Sequence, residues 1–146
     1  VQSYFEGICP RARQLIDLPK DWKRWATADR EPIGQWNYGR ATLLGDAAHP
    51  TLQYLAQGAC MAIEDAVVLA DKVGSGPVDF NAAFLAYQKE RVLRTARVVL
   101  TSRVFGAICH AGGAARALRN EIASRHTRQT FWEYDWLYKG IEAPRQ

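Results

Sequence analysis

Residues 39 to 66 read GRATLLGDAAHPTLQYLAQGACMAIEDA. The apolar run 41–44 is short, bounded by glycines and the best strand signal in the chain, and it stops abruptly at Gly45-Asp46. A His-Pro and a small-residue loop follow, and from Gln57 or Gly58 the pattern becomes helical. This strand, loop and helix constrain the fold most. A single buried strand cannot form a sheet, because its backbone groups need ladder partners. The only other strand signal is weak, at 22–27, ahead of a turn-rich stretch with Pro32 and Gly34.

Helices dominate what remains. Phe5, Ile8, Ala12, Leu15 and Ile16 predict a helix within 1–18, ended by Pro19. Ile63, Ala66, Val67, Ala70 and Val73 predict a second, with that stripe as its apolar face, stopped by the GSGP of 74–77. Asp79 is placed to N-cap a long helix to about Ala107, whose buried face starts with Phe80, Phe84 and Tyr87 and continues through Val92, Ala96 and Val99. Gly112-Gly113 breaks it, and shorter helices are predicted over 114–124 and 128–138. One or two strands against four or five helices reads as a mainly α-helical segment of a larger α/β fold.

At 146 residues the chain is one domain or a piece of a larger one, and 48% hydrophobic against 23% charged residues is a globular balance. No apolar run is long enough to span a membrane, and the first residues are not a signal peptide. Cys9, Cys60 and Cys109 are widely spaced, with no CxxC pair, so no zinc site or disulfide framework is indicated and a cytoplasmic setting is expected. The net charge of +4 is concentrated in nine Lys or Arg residues between Lys89 and Arg128. Such a stretch suits either phosphate contact, including a non-catalytic helical nucleic-acid-binding module, or a solvated helical surface, and the second reading is favoured.

The chemistry-bearing pattern lies where the strand stops. In open α/β sheets, ligands bind beyond the carboxyl ends of the strands. Gly45 allows close backbone approach, and the Asp46 carboxylate can accept hydrogen bonds from sugar or polyol hydroxyls. Gln57-Gly58-Ala59-Cys60 opens a helix with small residues, leaving N–H groups to face an anion or a carbonyl. An acceptor and a donor nest about a dozen residues apart suit a ligand with hydroxyls at one end and partial negative charge at the other.

GRATLLGDAAHP running into QGACMAIEDAVVLA closely resembles the second FAD-binding motif of the class A flavoprotein aromatic hydroxylases. Asp29-Arg30-x-Pro32 and Trp36-x-x-Gly39-Arg40 fit the same family, and PTLQYLAQGACMAIEDA is most similar to its 3-hydroxybenzoate branch, with salicylate hydroxylases next. The resemblance implies an FAD/NAD(P)-binding α/β parent fold of which this is the C-terminal part. Residues 1–38 would end the substrate-domain region and return to the FAD domain, 39–78 would be the second FAD-binding motif, and 79–146 a C-terminal helical region. It implies an FAD-dependent monooxygenase that uses NADH or NADPH and O2 to hydroxylate a small aromatic acid. Asp46 would hold the ribityl chain beside Gly45, Pro50 would bring its backbone near the reacting edge of the flavin, and the Gly58, Ala59 and Cys60 amides would face its N1/C2 carbonyl region. Gln53 and Tyr54 would orient the substrate. No GxGxxG follows a strand, so the pyrophosphate-binding turn lies outside this chain. The implied consequence is a segment that is not a working hydroxylase alone and that needs its N-terminal FAD domain or self-associates. The catalytic base stays unassigned.

Other residues carry blander expectations. His49, with Asp46 as orienter, has no Ser or Cys nucleophile beside it, so it reads as loop-shaping. Adjacent Glu64 and Asp65 point to different faces and read as salt-bridge or helix-dipole partners. His110 beside Cys109 does not make a metal site by itself. Arg91, Arg94 and Arg97 would contact the FAD domain or face water. Trp132, Trp136 and Tyr138 read as an aromatic packing cluster.

Overall fold

A computed structural model describes residues 2–74, 76–127 and 134–140; Arg128 and Trp132, singled out above, lie outside them. The order is a 3-10 turn Gln2–Phe5, α1 Pro10–Asp17, β1 Asn37–Tyr38, β2 Ala41–Thr42, 3-10 turns Gly45–Ala47 and Gln53–Leu55, α2 Gly58–Val73, α3 Phe80–Cys109, α4 Gly113–Arg125 and α5 Asp135–Tyr138. The mainly helical reading with one or two strands holds. The N-terminal helix is split, because Gly7 takes a positive φ of 77° between the first turn and α1, and Pro10 then starts α1 at a position where its missing N–H costs nothing.

The strand reading needs two corrections. Residues 22–27 form no strand, and Trp25 there is exposed. The 41–44 run does find a partner, in an antiparallel hairpin of two residues a side with Asn37↔Thr42 and Tyr38↔Ala41. The pairing stops there, since β1 and β2 are the whole of this sheet. The hairpin is tied to α3 instead: Gln88 Oε1 accepts from the Trp36 N–H at 2.6 Å and the Asn37 N–H at 3.3 Å.

Two small cores lie around α2 and α3, while α1 and α4 bury no residue. Trp36, Ala48, Val68 and Tyr87 form one, between hairpin, α2 and α3. Leu55, Met61, Val98 and Leu137 form the other, with Phe105 and Trp136 against it. Asp79 caps α3 as expected, its Oδ1 accepting from the N–H groups of Asn81 at 3.0 Å and Ala82 at 3.2 Å. Phe84, Tyr87 and Val99 are buried on α3, while Phe80 is exposed and Arg91, Thr95 and Ser102 continue the buried stripe. On α2 the expected face is overturned. The buried stripe is Met61, Asp65 and Val68, and Ile63 is 65% exposed with Val67 beside it on the outer side. The rotation follows from Asp65, whose charge is matched inside, against α3, by Arg91.

Candidate functional site

The turn after β2 begins with Gly45 at φ +59°. A Cβ there would lie 3.3 Å from the Ala62 Cβ of α2, so both backbone conformation and space call for glycine. The Gly45 carbonyl accepts from the Ala48 and His49 N–H groups, each at 2.9 Å, closing a compact turn over 45–49. Asp46 is exposed at its apex.

Asp46 faces a cleft of about 680 Å³ that also takes in Gly45, Thr51, Gln53, Gly58 and Ala59. No side chain caps the start of α2 at Gln57, so the first N–H groups of that helix open toward the same cleft. A carboxylate at one end and unbonded helix amides at the other are a donor set suited to hydroxyls and to a carbonyl bearing partial negative charge. Between them Ala56 holds a left-handed conformation, φ 53°, the one non-glycine positive φ among the described residues.

Five of the eight expected site residues therefore meet in one cleft: Gly45, Asp46, Gln53, Gly58 and Ala59. Pro50, Cys60 and Tyr54 are not among its lining residues. Tyr54 turns to the other side of the 53–55 turn, into a separate cavity of about 750 Å³ with Phe105, Tyr134 and Tyr138. Its ring lies against Gly106 of α3, where a Cβ would come within 2.5 Å, and meets His110 edge-on at 5.5 Å. The His110 Nδ1–H donates to the Gly106 carbonyl at 2.8 Å.

The residues that hold the cleft in shape were harder to foresee. Asp65 and Arg91 are fully buried and His49 is 4% exposed. Asp65 Oδ2 accepts from the Gly45 N–H at 3.0 Å and from His49 Nε2–H at 2.5 Å, and its Oδ1 accepts from Arg91 Nε at 2.7 Å. So the orienting partner of His49 is Asp65, not Asp46. Burial would raise the Asp65 pKa, but the hydrogen bonds from His49, Arg91 and Gly45 outweigh it and hold the carboxyl below the usual aspartate range. Glu64 behaves likewise: burial opposes ionisation, and hydrogen bonds from Arg94 and Arg91 overcome it. Tyr87, buried beside Asp65, is held neutral, its pKa pushed up first by burial and then by that carboxylate. Arg30 braces the turn from outside, donating through Nη2 to the carbonyls of Ala47 at 2.7 Å and Ala48 at 3.0 Å. Its neighbour Asp29 pairs with Arg103 of α3 at 2.5 Å.

The basic series divides between pairing within the fold and a solvated surface, where Lys89, Arg97, Arg116 and Arg125 are exposed. Arg91 and Arg94 pair with Glu64, Arg97 stacks over Trp136 at 3.9 Å, Arg103 pairs with Asp29 and Glu31, and Arg125 pairs with Glu121. The sequence signal that could have located the hub is Asp65 itself, a charge spaced between Met61 and Val68 on one helix face.

Residues 11–102 match the model of a family described as an FAD binding domain. The chain is 63% identical over 139 residues to a 3-hydroxybenzoate 6-hydroxylase of Polaromonas naphthalenivorans (strain CJ2), covering 94% of this chain and 35% of that protein. It is 57% identical over 139 residues to 3-hydroxybenzoate 6-hydroxylase 2 of Aquipseudomonas alcaligenes, of which it covers 43%. The crystal structure of Klebsiella pneumoniae HpxO complexed with FAD and uric acid superposes with a TM-score of 0.83 at 30% identity, over 95% of this chain and 37% of that one. The chain thus spans between about a third and two fifths of the length of these relatives.

Proposed function

Since this chain belongs to the FAD-binding domain family, we propose that it is the C-terminal part of an FAD-dependent monooxygenase that hydroxylates an aromatic acid of the 3-hydroxybenzoate type. Salicylate is the neighbouring substrate class, and NADH or NADPH serves as reductant. The observation that carries this reading is the cleft in which Asp46 and the uncapped start of α2 face a common space. The identity to two 3-hydroxybenzoate 6-hydroxylases supports the substrate class.

Asp46 would accept hydrogen bonds from the ribityl hydroxyls, with Gly45 leaving room for them. The amides of Gly58, Ala59 and Cys60 would face the carbonyl region of the ring, where a helix N-terminus favours negative charge. The Pro50 backbone would border the ring edge. Gln53 would be the polar contact to the aromatic acid, with Tyr54 behind the same turn. FAD, when bound, supplies the chemistry of taking electrons from the nicotinamide and activating O2. In this reading residues 39–78 form the second cofactor motif, 1–38 end the substrate-domain region and return to the FAD domain, and 79–146 are a C-terminal helical region, in a cytoplasmic enzyme.

The test is to express the full-length protein and look for bound yellow flavin and for NADH oxidation stimulated by 3-hydroxybenzoate or salicylate. Colourless protein that FAD does not reconstitute would overturn the proposal. The rival, a helical nucleic-acid-binding module, predicts a gel shift that collapses with salt, and the engagement of Arg91, Arg94 and Arg103 in ion pairs within the fold weighs against it.

A further inference from the structure

We propose that Asp65 and His49 form a positioning pair that sets the spacing between the two halves of the cofactor cleft, an inference that rests on the FAD reading above. The geometry is specific. One carboxylate oxygen, Asp65 Oδ2, takes hydrogen bonds from both ends of the 45–49 turn: the Gly45 N–H at 3.0 Å and His49 Nε2–H at 2.5 Å. The residue between those ends that reaches the cleft is Asp46.

Asp65 belongs to α2, the helix whose first amides form the opposite half of the same cleft. Gly58 to Asp65 is seven residues, about 10 Å of rigid helix. The distance from the Asp46 carboxylate to those amides is therefore referenced to one helix through one side chain. The helix is itself fixed in rotation, because Asp65 Oδ1 is held by Arg91 Nε at 2.7 Å, and Arg91 in turn reaches Glu64 and the Met61 carbonyl. His49 lies 4% exposed beneath the turn with its ring 5.5 Å from that of Trp36. His49 is not among the residues that line the cleft, so it acts through the turn.

A role confined to stability and a role in spacing separate by experiment. In the full-length protein, His49→Phe keeps the packing against Trp36 and removes the donor, whereas His49→Gln restores an amide donor at the reach of Nε2. Val99→Ala, a buried change on α3 two turns beyond Arg91, supplies a comparison for lost stability alone. FAD affinity by fluorescence titration and the visible circular dichroism of bound flavin are the readouts. We expect His49→Phe to bind FAD about tenfold more weakly with an altered dichroic band, and His49→Gln to recover to within about threefold of wild type. Val99→Ala should lose thermal stability and keep both flavin readouts. Asp65→Asn should exceed His49→Phe in its effect; if leaving buried Arg91 with Glu64 as its one carboxylate prevents folding, the His49 pair still decides. Wild-type affinity and dichroism in His49→Phe would overturn the positioning role, as would an equal loss in Val99→Ala. When the wild type binds FAD and Asp46→Ala weakens it, that failure is confined to the positioning role. A wild-type chain that takes up no FAD overturns the function and this inference together.

Discussion

Single residues divide into those that meet the cleft and those that hold it. Asp46 is in the first group, exposed at the apex of a turn whose geometry depends on Gly45. Asp46→Ala in the full-length enzyme removes a charged acceptor, so FAD binding should weaken by roughly 1.5–3 kcal/mol, about one to two decades. Fluorescence titration measures this, and unchanged affinity would move the ribityl contact elsewhere. Gly106 is in the second group. An added methyl would stand 2.5 Å from the Tyr54 ring, which His110 confines on another side. Gly106→Ala should therefore push the 53–55 turn out of place and raise KM for the aromatic acid, with FAD affinity retained. The helix itself gains up to about 1 kcal/mol from the change, so loss of stability is not the expected cause. An unaltered KM would mean the turn absorbs the methyl freely. Glycine and aspartate at the strand end were legible in the sequence, because their conformational and hydrogen-bonding properties are local. The neighbour that makes Gly106 necessary is some fifty residues away in the chain, and no local pattern reveals it.

Among elements, α3 organises the fold, reaching about 45 Å if straight and regular over its 30 residues. It receives the hairpin through Gln88, the 29–31 segment through Arg103 and α2 through Arg91. Ser102 Oγ–H also ties the Leu52 carbonyl to it at 2.7 Å. Its start depends on Asp79, which accepts from two N–H groups that no earlier turn of helix can satisfy. Asp79→Ala should cost about 1 kcal/mol of stability, read as a lower urea midpoint with an unchanged slope. A midpoint within error of wild type would mean that solvent caps the helix as well as the side chain does. Boundaries of this kind were readable from Asp79, Gly74 and Gly112, since capping and helix-breaking are short-range effects. The facing of α2 was not. Its apolar stripe at Ile63 and Val67 has ordinary helical spacing, yet the helix turns Asp65 inward because a buried arginine on another element awaits it.

At the scale of the molecule, the buried and half-buried charges between α2 and α3 balance: Arg91 and Arg94 against Glu64 and Asp65. Both carboxyls titrate lower in the folded protein than in the unfolded chain. Their contribution is thus fully present above the unfolded pKa of about 4 and is lost as pH falls through the lowered folded values. Glu64→Gln should be less stable than wild type at about pH 7, with the gap in urea midpoint closing toward about pH 3. A gap that stays constant across that range would remove the ionic account. The outer face of α2, with Ile63 and Val67, and the groove edge at Val104, Leu118 and Ile122 leave apolar surface uncovered among the described residues. The 146-residue chain on its own should therefore self-associate in light scattering and fail to bind FAD at micromolar concentration. A stable monomer that binds FAD would show that these surfaces need no further cover. The sequence by itself determined the helical content, the caps and breaks, and the strand–turn–helix that supplies an acceptor and a donor nest. Those follow from the preferences of neighbouring residues. Only the tertiary structure decided that Asp65 rather than Asp46 holds His49, that the α2 stripe faces outward, that Tyr54 leaves the cleft and that Arg91, Arg94 and Arg103 of α3 turn into ion pairs. Each of these depends on a partner 16 to 74 residues distant in the chain, and pairing at that range is settled by packing and charge neutralisation in three dimensions.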